Sequence, residues 1–205
     1  MQTKSPTIVV FDVGNVLLRW DPRHLYRKLF DDEARMEWFL ANVCTHDWNV
    51  EQDRGRGWDE AVALLVDRHP EHEPHIRAFH ERWHETVGGV FEENVALLER
   101  LRAAGVPNYC ITNFSGAKFA EAKLRFPFLA RFDGVIVSGD ERLLKPDPAI
   151  YHLLLSRYNL SAGDCIFIDD SRANVHAARE IGMQAIQYAE PMDLAAELRL
   201  HGFPV

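Results

Sequence analysis

Polar residues that could do chemistry follow several short apolar runs of this chain. Asp12 closes the first run, and Gly14 rather than a second acid follows it two residues later. Later runs are followed by Thr112-Asn113, by a loop that carries Lys145, and by Asp169-Asp170. A carboxylate buried at the end of a strand is costly unless it is paired or hydrogen-bonded. These residues are therefore candidates for one reactive site.

The aspartates among them predict a bound cation. If Asp12, Asp169 and Asp170 face one small volume, they repel one another and raise each other's pKa. A hard divalent cation relieves that repulsion, and Mg²⁺ is usually held by a few carboxylates, water and substrate phosphate. The sequence therefore predicts Mg²⁺ as the cofactor.

The elements that would position these residues alternate between strands and helices. Helical patterns cover residues 91–104, 148–158 and 171–181. The apolar runs that predict buried strands are residues 8–11, 107–111, 134–137, 165–168 and 184–187. This alternation predicts an α/β fold with a doubly wound, Rossmann-like parallel sheet. The carboxyl ends of such strands meet at one crevice, where ligands bind.

The connection after the first strand is much longer than a crossover requires. Its helical patterns are residues 24–30, 32–43, 58–69 and 72–87. An insertion at this point lies over the carboxyl edge of the sheet. We therefore expect a helical cap domain at residues 18–89, and an α/β core domain formed by residues 1–17 and 90–205.

Composition narrows the class of protein. The chain has 205 residues, 47% of them hydrophobic, and a formal net charge of −8. This charge argues against nucleic acid as a partner, because phosphate-backbone binding normally needs a basic face. The three cysteines are widely spaced, and neither a signal peptide nor a membrane-spanning apolar run is evident. We expect a cytoplasmic protein with reduced cysteines.

Four motifs in order resemble those of the haloacid dehalogenase-like hydrolase superfamily. They are the segment 11–16 around Asp12, Thr112-Asn113, Lys145-Pro146 and the segment 167–174 around Asp169-Asp170. With the helical insertion, the resemblance covers essentially the whole chain. The first and last motifs are most similar to a bacterial subgroup that includes α-D-glucose-1-phosphate phosphatases.

The resemblance implies a role for each matching residue. Asp12 would be the nucleophile that accepts the phosphoryl group as an aspartyl-phosphate. Lys145 would neutralise charge on Asp12 and on the transferring group. Thr112 and the backbone or side chain of Asn113 would bind phosphate oxygens. The Mg²⁺ ligands would be the carboxylate of Asp12, the backbone carbonyl of Gly14, and Asp169, Asp170 or both.

The chain departs from the superfamily pattern at Gly14. Most phosphatases of the superfamily have a second aspartate there, which protonates the leaving group and then activates water. General acid–base help is worth about 10²–10⁴-fold, and the amide of Asn15 cannot supply it. Three outcomes are open: a cap residue or water replaces the missing acid–base group, the enzyme is slow, or it has lost hydrolysis.

The predicted cap offers several candidates for substrate contact. Residues 52–57 resemble a cap loop that approaches the nucleophile, and we expect Arg54 or Asp53 to touch substrate. A surface loop would have the same composition. The aromatic rings of Trp48, Trp58 and Trp83 could stack on a sugar, although packing is the commoner role. His46 and His84 are the histidines considered for the missing acid–base.

The sequence thus predicts an Mg²⁺-dependent phosphatase for a small phosphorylated metabolite such as a sugar phosphate. A non-catalytic binding or regulatory protein of the same fold is the alternative, and Gly14 favours it. A metal-independent dehalogenase is disfavoured by the adjacent acids Asp169-Asp170, and a mutase would also need an acid near Gly14. Pairing of the cap into a homodimer is a further possibility that the sequence leaves open.

Overall fold

The computed structural model describes residues 5–205. Its strands are β1 (Ile8–Phe11), β2 (Leu18–Trp20), β3 (Val87–Val90), β4 (Asn108–Thr112), β5 (Gly134–Val137), β6 (Cys165–Asp169) and β7 (Gln184–Gln187). The α-helices before β3 are α1 (Arg23–Tyr26), α2 (Glu33–Asn42), α3 (His46–Asp53), α4 (Trp58–Arg68) and α5 (Glu73–Glu81). Those after β3 are α6 (Glu92–Ala103), α7 (Gly116–Arg125), α8 (Ser138–Glu141), α9 (Pro148–Tyr158), α10 (Arg172–Glu180) and α11 (Leu194–Leu200).

Five strands form one parallel sheet in the order β5-β4-β1-β6-β7. The central strand β1 pairs with β4 on one side and β6 on the other, so that Phe11 lies beside Cys110 and Ile168. From β1 the chain builds outward to β5 and then returns to add β6 and β7 on the opposite side. This confirms the predicted doubly wound α/β fold, with its topological switch at the end of β1.

Helices bury both faces of this sheet. Val9 and Phe11 pack with leucines of α6 and α11, whereas Val10 packs with Tyr151 and Leu154 of α9 on the other face. Successive side chains of a strand point to opposite faces, and a strand covered on both sides is apolar throughout. The continuous apolar run at residues 8–11 follows from this double cover.

The long insertion leaves and returns through a short antiparallel pair. Leu18 of β2 lies beside Val90 of β3, and Trp20 lies beside Val87. Helices α1 to α5 lie between these two strands. The predicted single helix over residues 72–87 is wrong, because α5 ends at Glu81 and is followed by a 3₁₀ turn (Trp83–Thr86) and then β3. Helix α3, which sequence periodicity did not predict, lies in this insertion.

Elsewhere, most predicted elements differ from the structure by only one or two residues. Predicted helix 148–158 has the same bounds as α9, and Asp147 caps it by accepting from the Ala149 N–H at 2.9 Å. Helices α7 and α11 were not predicted. No helix within residues 5–205 has the length and apolar character needed to cross a membrane.

Two leucines of α11 provide a matched test of the core. Leu198 is fully buried against the sheet, whereas Leu200 is 82% exposed. We expect Leu198→Ala to lower the free energy of unfolding by about 2–5 kcal/mol, because it removes buried methyl groups and leaves a cavity. Leu200→Ala should change it by less than about 0.5 kcal/mol. Urea denaturation of both variants measures the difference, and equal effects would contradict this packing of α11.

Candidate active site

A buried lysine joins two of the aspartates at the carboxyl edge of the sheet. The Lys145 ammonium lies 2.8 Å from Asp12 Oδ1 and 2.7 Å from Asp169 Oδ2. All three side chains are shielded from solvent, with Lys145 only 1% exposed. Charge-assisted hydrogen bonds of this length are strong. The residues predicted from separate strand ends therefore form one connected ionic group.

The side chain of Asn113 holds the backbone of Lys145. Its Nδ2 donates to the Lys145 carbonyl oxygen at 3.0 Å, and its Oδ1 accepts from the Lys145 N–H at 2.8 Å. The Lys145 ammonium also donates to the carbonyl oxygen of Ile111 at 3.0 Å. The Asn113 amide is thus engaged in positioning Lys145, so the predicted phosphate contact of Asn113 is left to its backbone.

Asp169 is surrounded by hydrogen-bond donors. Its Oδ1 accepts from the Ser171 N–H at 2.8 Å, and Asn174 Nδ2 lies 3.0 and 3.1 Å from its two oxygens. With Lys145 on Oδ2, both carboxylate oxygens have protein partners. Asn174, the last residue of the fourth sequence motif, therefore orients Asp169.

Asp170 is the more accessible of the adjacent acids. It is partly buried and lines the cavity, and its carboxylate has a hydrogen bond from the Asn15 side chain. Asn15 has a φ of 53°, a left-handed conformation that asparagine tolerates better than most residues. Its Oδ1 accepts from the Trp20 N–H at 3.1 Å, which fixes the amide orientation. Sequence reasoning missed this role of Asn15.

The carboxylates have the arrangement of a cation site. One oxygen each of Asp12, Asp169 and Asp170 lies within 4.8 Å of the others. Burial raises the pKa of Asp12 to about 7, although the Lys145 ammonium opposes the shift, and burial with repulsion from Asp169 raises the pKa of Asp170. A divalent cation would favour the ionised carboxylates, and an all-oxygen donor set suits Mg²⁺. These residues therefore fit the predicted metal.

Gly14 lies beside this group and lines the same cavity. A Cβ built at Gly14 would meet no atom within 4 Å, and the residue is outside the left-handed region of backbone conformation. Neither steric crowding nor backbone conformation therefore requires a glycine there. The second acid of the superfamily pattern is absent from a position that has room for it.

Thr112 ends β4 but does not line the cavity. Its side chain is 1% exposed, and its Oγ1 has no hydrogen-bond partner within the described residues. A buried hydroxyl without a partner costs free energy. The predicted phosphate contact of Thr112 stays a prediction. It requires a different Thr112 rotamer or an opening that connects its hydroxyl to the cavity.

The cavity above the sheet edge has a volume of about 740 Å³. The core contributes Asp12, Asn113, Ser115, Lys145 and Asp170 to its lining, and the insertion contributes residues of α3 and of the turn that follows it. Cavities of this size accommodate small organic ligands. Insertion and core therefore enclose one space that begins at Asp12.

The two predicted cap-loop residues differ in their surroundings. The Arg54 side chain is 52% exposed at the cavity lining, with its Nε 3.5 Å from Glu51 Oε1. The Asp53 carboxylate accepts from Asn49 Nδ2 at 3.1 Å and from the backbone N–H of Ser115. Burial raises the pKa of Asp53 to about 7, although the Ser115 N–H opposes the shift. Both residues line the cavity, and Asp53 reaches the core.

Two of the three tryptophans considered for stacking line the cavity. Trp58 stacks on His80 with ring centroids 5.3 Å apart, and Trp83 packs at 5.2 Å from Phe114. Trp48 lies outside the lining and packs edge-on against Trp58 at 5.9 Å. All three rings therefore have packing partners.

The two histidines considered for acid–base chemistry differ in their position relative to the cavity. His46 lines the cavity and is exposed, whereas His84 lies outside the lining, with its Nδ1 3.7 Å from Glu121 Oε1. Sequence reasoning missed Lys118, a buried lysine of the lining whose Nζ donates to the His80 carbonyl oxygen at 2.8 Å and to Glu121 at 2.9 Å. Lys118 lies on α7, over which the sequence pattern predicts no helix.

The arrangement of Asp12, Lys145 and Asp169-Asp170 at one sheet edge agrees with the sequence comparison. The model of the haloacid dehalogenase-like hydrolase family matches residues 6–182. The chain belongs to this family. It is therefore a hydrolase of the haloacid dehalogenase-like fold, as the resemblance implied.

Similar proteins include phosphatases. The sesquiterpene phosphatase astK of Aspergillus oryzae is 26% identical over 193 residues, which is 93% of this chain and 93% of that protein. A phosphoglycolate phosphatase of Yersinia pseudotuberculosis is 35% identical over 98 residues, but the match spans only 47% of this chain and 42% of that protein.

Solved structures agree on the fold. A HAD family enzyme of Bacteroides thetaiotaomicron, in complex with magnesium, superposes with a TM-score of 0.77 over 96% of this chain and 100% of its own. At 18% identity, this likeness concerns the fold alone.

Removing the buried ammonium group of Lys145 should destabilise the protein. We expect Lys145→Met to lower the free energy of unfolding by about 3–5 kcal/mol, because two buried carboxylates lose their partner. Lys28→Met removes a surface ion pair, Lys28 Nζ to Glu85 Oε2 at 2.9 Å, and should change it by about 1 kcal/mol or less. Urea unfolding at pH 7.5 without metal measures both, and a Lys145→Met effect as small as the control's would argue against the buried ionic group.

Proposed function

We propose that this hydrolase is an Mg²⁺-dependent phosphatase that cleaves a small organic phosphate monoester through an aspartyl-phosphate at Asp12. The observation that carries the proposal is that Asp12, Lys145 and Asp170 line one cavity, with the Lys145 ammonium 2.8 Å from Asp12 Oδ1 and the carboxylates of Asp12 and Asp170 close enough to share a cation. Similar proteins named as phosphatases support it. A metal-bound acidic site next to a buried lysine suits the transfer of an anionic group.

Asp12 is proposed as the nucleophile, and its hydrogen bonds distinguish its two oxygens. Oδ1 accepts from the Val13 N–H at 2.7 Å and lies 2.8 Å from the Lys145 ammonium. We therefore assign the attack on phosphorus to Oδ2. Lys145 favours the ionised form of Asp12 and neutralises charge that develops during transfer. Phosphate oxygens are proposed to meet backbone N–H groups at Asn113 and beyond, with Thr112 and Arg54 as further contacts.

The metal would be held by Asp12, the Gly14 carbonyl and Asp170. Asp169 would not contact the metal directly, because its two oxygens already accept from Lys145, Ser171 and Asn174. When bound, Mg²⁺ supplies a positive charge that neutralises the substrate phosphate and orients it for in-line attack. This assigns direct coordination to Asp170 and an orienting role to Asp169.

The substrate is proposed to be a small phosphate monoester with a partly apolar organic group. Leu18, Trp20, Trp83 and Val87 give the cavity an apolar side, while Asn49 and Arg54 are polar. Sugar phosphates remain candidates, and aromatic or isoprenoid phosphates suit the apolar side. Residues 18–89 would act as the cap domain that closes over the substrate, with residues 1–17 and 90–205 as the core.

A binding or regulatory protein without turnover is the second candidate, and Gly14 favours it. Loss of the usual acid could leave a site that binds phosphate without releasing it. Beryllofluoride binding in the presence of Mg²⁺, with no phosphate release from any substrate, would select this candidate. A metal-independent dehalogenase is disfavoured because adjacent Asp169 and Asp170 need a cation nearby.

The direct test is phosphate release from a panel of monoesters. With Mg²⁺ we expect turnover, which EDTA should remove and added Mg²⁺ should restore. Asp12→Asn should reduce turnover to below about one-thousandth of the wild type, because the nucleophile is lost. The matched control is Asp67→Asn, which changes an exposed carboxylate of α4 and should leave turnover unchanged. Retained activity in Asp12→Asn would refute the nucleophile assignment.

Calorimetric titration with Mg²⁺ tests the metal ligands without turnover. Asp170→Asn should raise the Kd for Mg²⁺ about tenfold or more, because a charged ligand is lost. Asp147→Asn changes another carboxylate of the cavity lining, where asparagine still caps α9, and should leave the Kd unchanged. An unchanged Kd in Asp170→Asn would place the metal elsewhere.

A further inference from the structure

Phosphate ester hydrolysis needs a group that gives a proton to the leaving oxygen and later takes one from water. Gly14 supplies neither. A substitute must face the cavity and must be free to exchange a proton. The titratable residues of the lining that lie outside the ionic and metal group are His46, Asp47, Asp53, Arg54, Lys118 and Asp147.

Most of these residues either form hydrogen bonds with other groups or are exposed to solvent. Asp147 caps α9, and the Lys118 ammonium is bonded to His80 and Glu121. His46 and Asp47 lie exposed in the first turn of α3, where bulk water surrounds their side chains. Arg54 does not deprotonate at neutral pH. Asp53 is the remaining residue.

The end of α3, which carries Asp53, and the turn that follows it are docked against the core. Ser138 Oγ donates to the Asp53 carbonyl oxygen, and Gly55 lies so close that an added Cβ would be 2.7 Å from the Gly139 carbonyl oxygen. Trp58, which begins the next helix, donates from Nε1 to Ser115 Oγ at 2.9 Å. Contacts at Asp53 itself and at the residues that follow it therefore fix its backbone relative to the core.

The Asp53 carboxyl group reaches the segment where phosphate is proposed to bind. It accepts from the backbone N–H of Ser115, two residues after Asn113. Asn49, one turn earlier in α3, holds it from the other side at 3.1 Å. The carboxyl group is partly buried yet lines the cavity, so water is limited around it but substrate can reach it.

We propose that Asp53 is the general acid–base residue of this enzyme and replaces the aspartate missing at Gly14. The inference rests on the proposed phosphatase function. In the first step Asp12 Oδ2 bonds to phosphorus, the ester P–O bond breaks, and the Asp53 carboxyl proton passes to the leaving alkoxide oxygen. In the second step water bonds to phosphorus, the Asp12–phosphorus bond breaks, and the Asp53 carboxylate takes the proton of that water.

The protonation of Asp53 suits both steps. Burial raises its pKa to about 7, so that neutral and ionised forms coexist near neutral pH. General acid–base catalysis is most efficient when the pKa lies near the working pH. The Ser115 N–H would favour the ionised form that accepts the proton from water.

Two substrates of similar size separate proton donation from structural support. p-Nitrophenolate leaves without protonation near neutral pH, whereas the alkoxide of phenethyl phosphate needs a proton. Asp53→Asn should lower kcat/KM for phenethyl phosphate about 100-fold or more, and that for p-nitrophenyl phosphate only a few-fold. The ratio of the two values within one preparation is independent of the folded fraction. Asp47→Asn, the control on the same helix, should leave that ratio unchanged.

A restored acid provides the complementary measurement. Gly14→Asp in the Asp53→Asn background should recover at least about tenfold of the lost phenethyl phosphate activity, because the new side chain has room beside Asp12. An equal loss on both substrates, or no loss, in Asp53→Asn would overturn this inference alone. Absence of turnover in the wild type would overturn the proposed function together with it.

Discussion

The ammonium group of Lys145 is the point on which the site depends. Burial opposes its charge, yet the carboxylates of Asp12 and Asp169 raise the pKa of Lys145 above its ordinary value. A buried ion pair gains little over apolar packing unless its remaining hydrogen bonds are satisfied. Here Ile111 accepts from the ammonium, and Asn113 holds the lysine backbone. These hydrogen bonds therefore stabilise a charged and preorganised site at a place where apolar packing would be the usual alternative.

A second set of contacts ties the insertion to this sheet edge. Asp53, Trp58 and His80 each contact the core, at Ser138, Ser115 and Lys118 respectively. Asp53, Trp58, Ser115 and Lys118 line the cavity, and the contacts join residues distant in sequence. The space over Asp12 is thus defined by tertiary packing of the insertion, which can exclude water from a reaction there.

Much of the sheet and the acidic group could be predicted, because both follow from local patterns. A continuous apolar run predicts a strand covered on both faces, and a polar residue directly after it lies at the sheet edge. Asp12, Lys145 and Asp169 were predicted to converge on this basis, and they do.

The finer geometry could not be predicted, because it depends on which side chains pair across the fold. The sequence predicts a phosphate contact through the backbone or side chain of Asn113, but it does not reveal that the side-chain amide holds Lys145. The sequence excludes Asn15 as an acid–base residue but does not reveal that its side-chain amide donates a hydrogen bond to Asp170. Helix α3 has few apolar residues at helical spacing, so its pattern was missed, although it carries Asn49 and Asp53. Amide orientation and loop docking leave no periodic signal in a sequence.

The surroundings of Gly14 link the departure from the family pattern to the insertion. A glycine often marks a close approach or a left-handed turn, but neither constraint applies here. The absent side chain therefore leaves open space next to Asp12, toward the cavity that Asp53 also lines. An acid on the insertion can reach substrate only when the insertion is docked. Placing the proton donor there would couple hydrolysis to closure of the site, which an acid beside Asp12 on the rigid sheet edge cannot do.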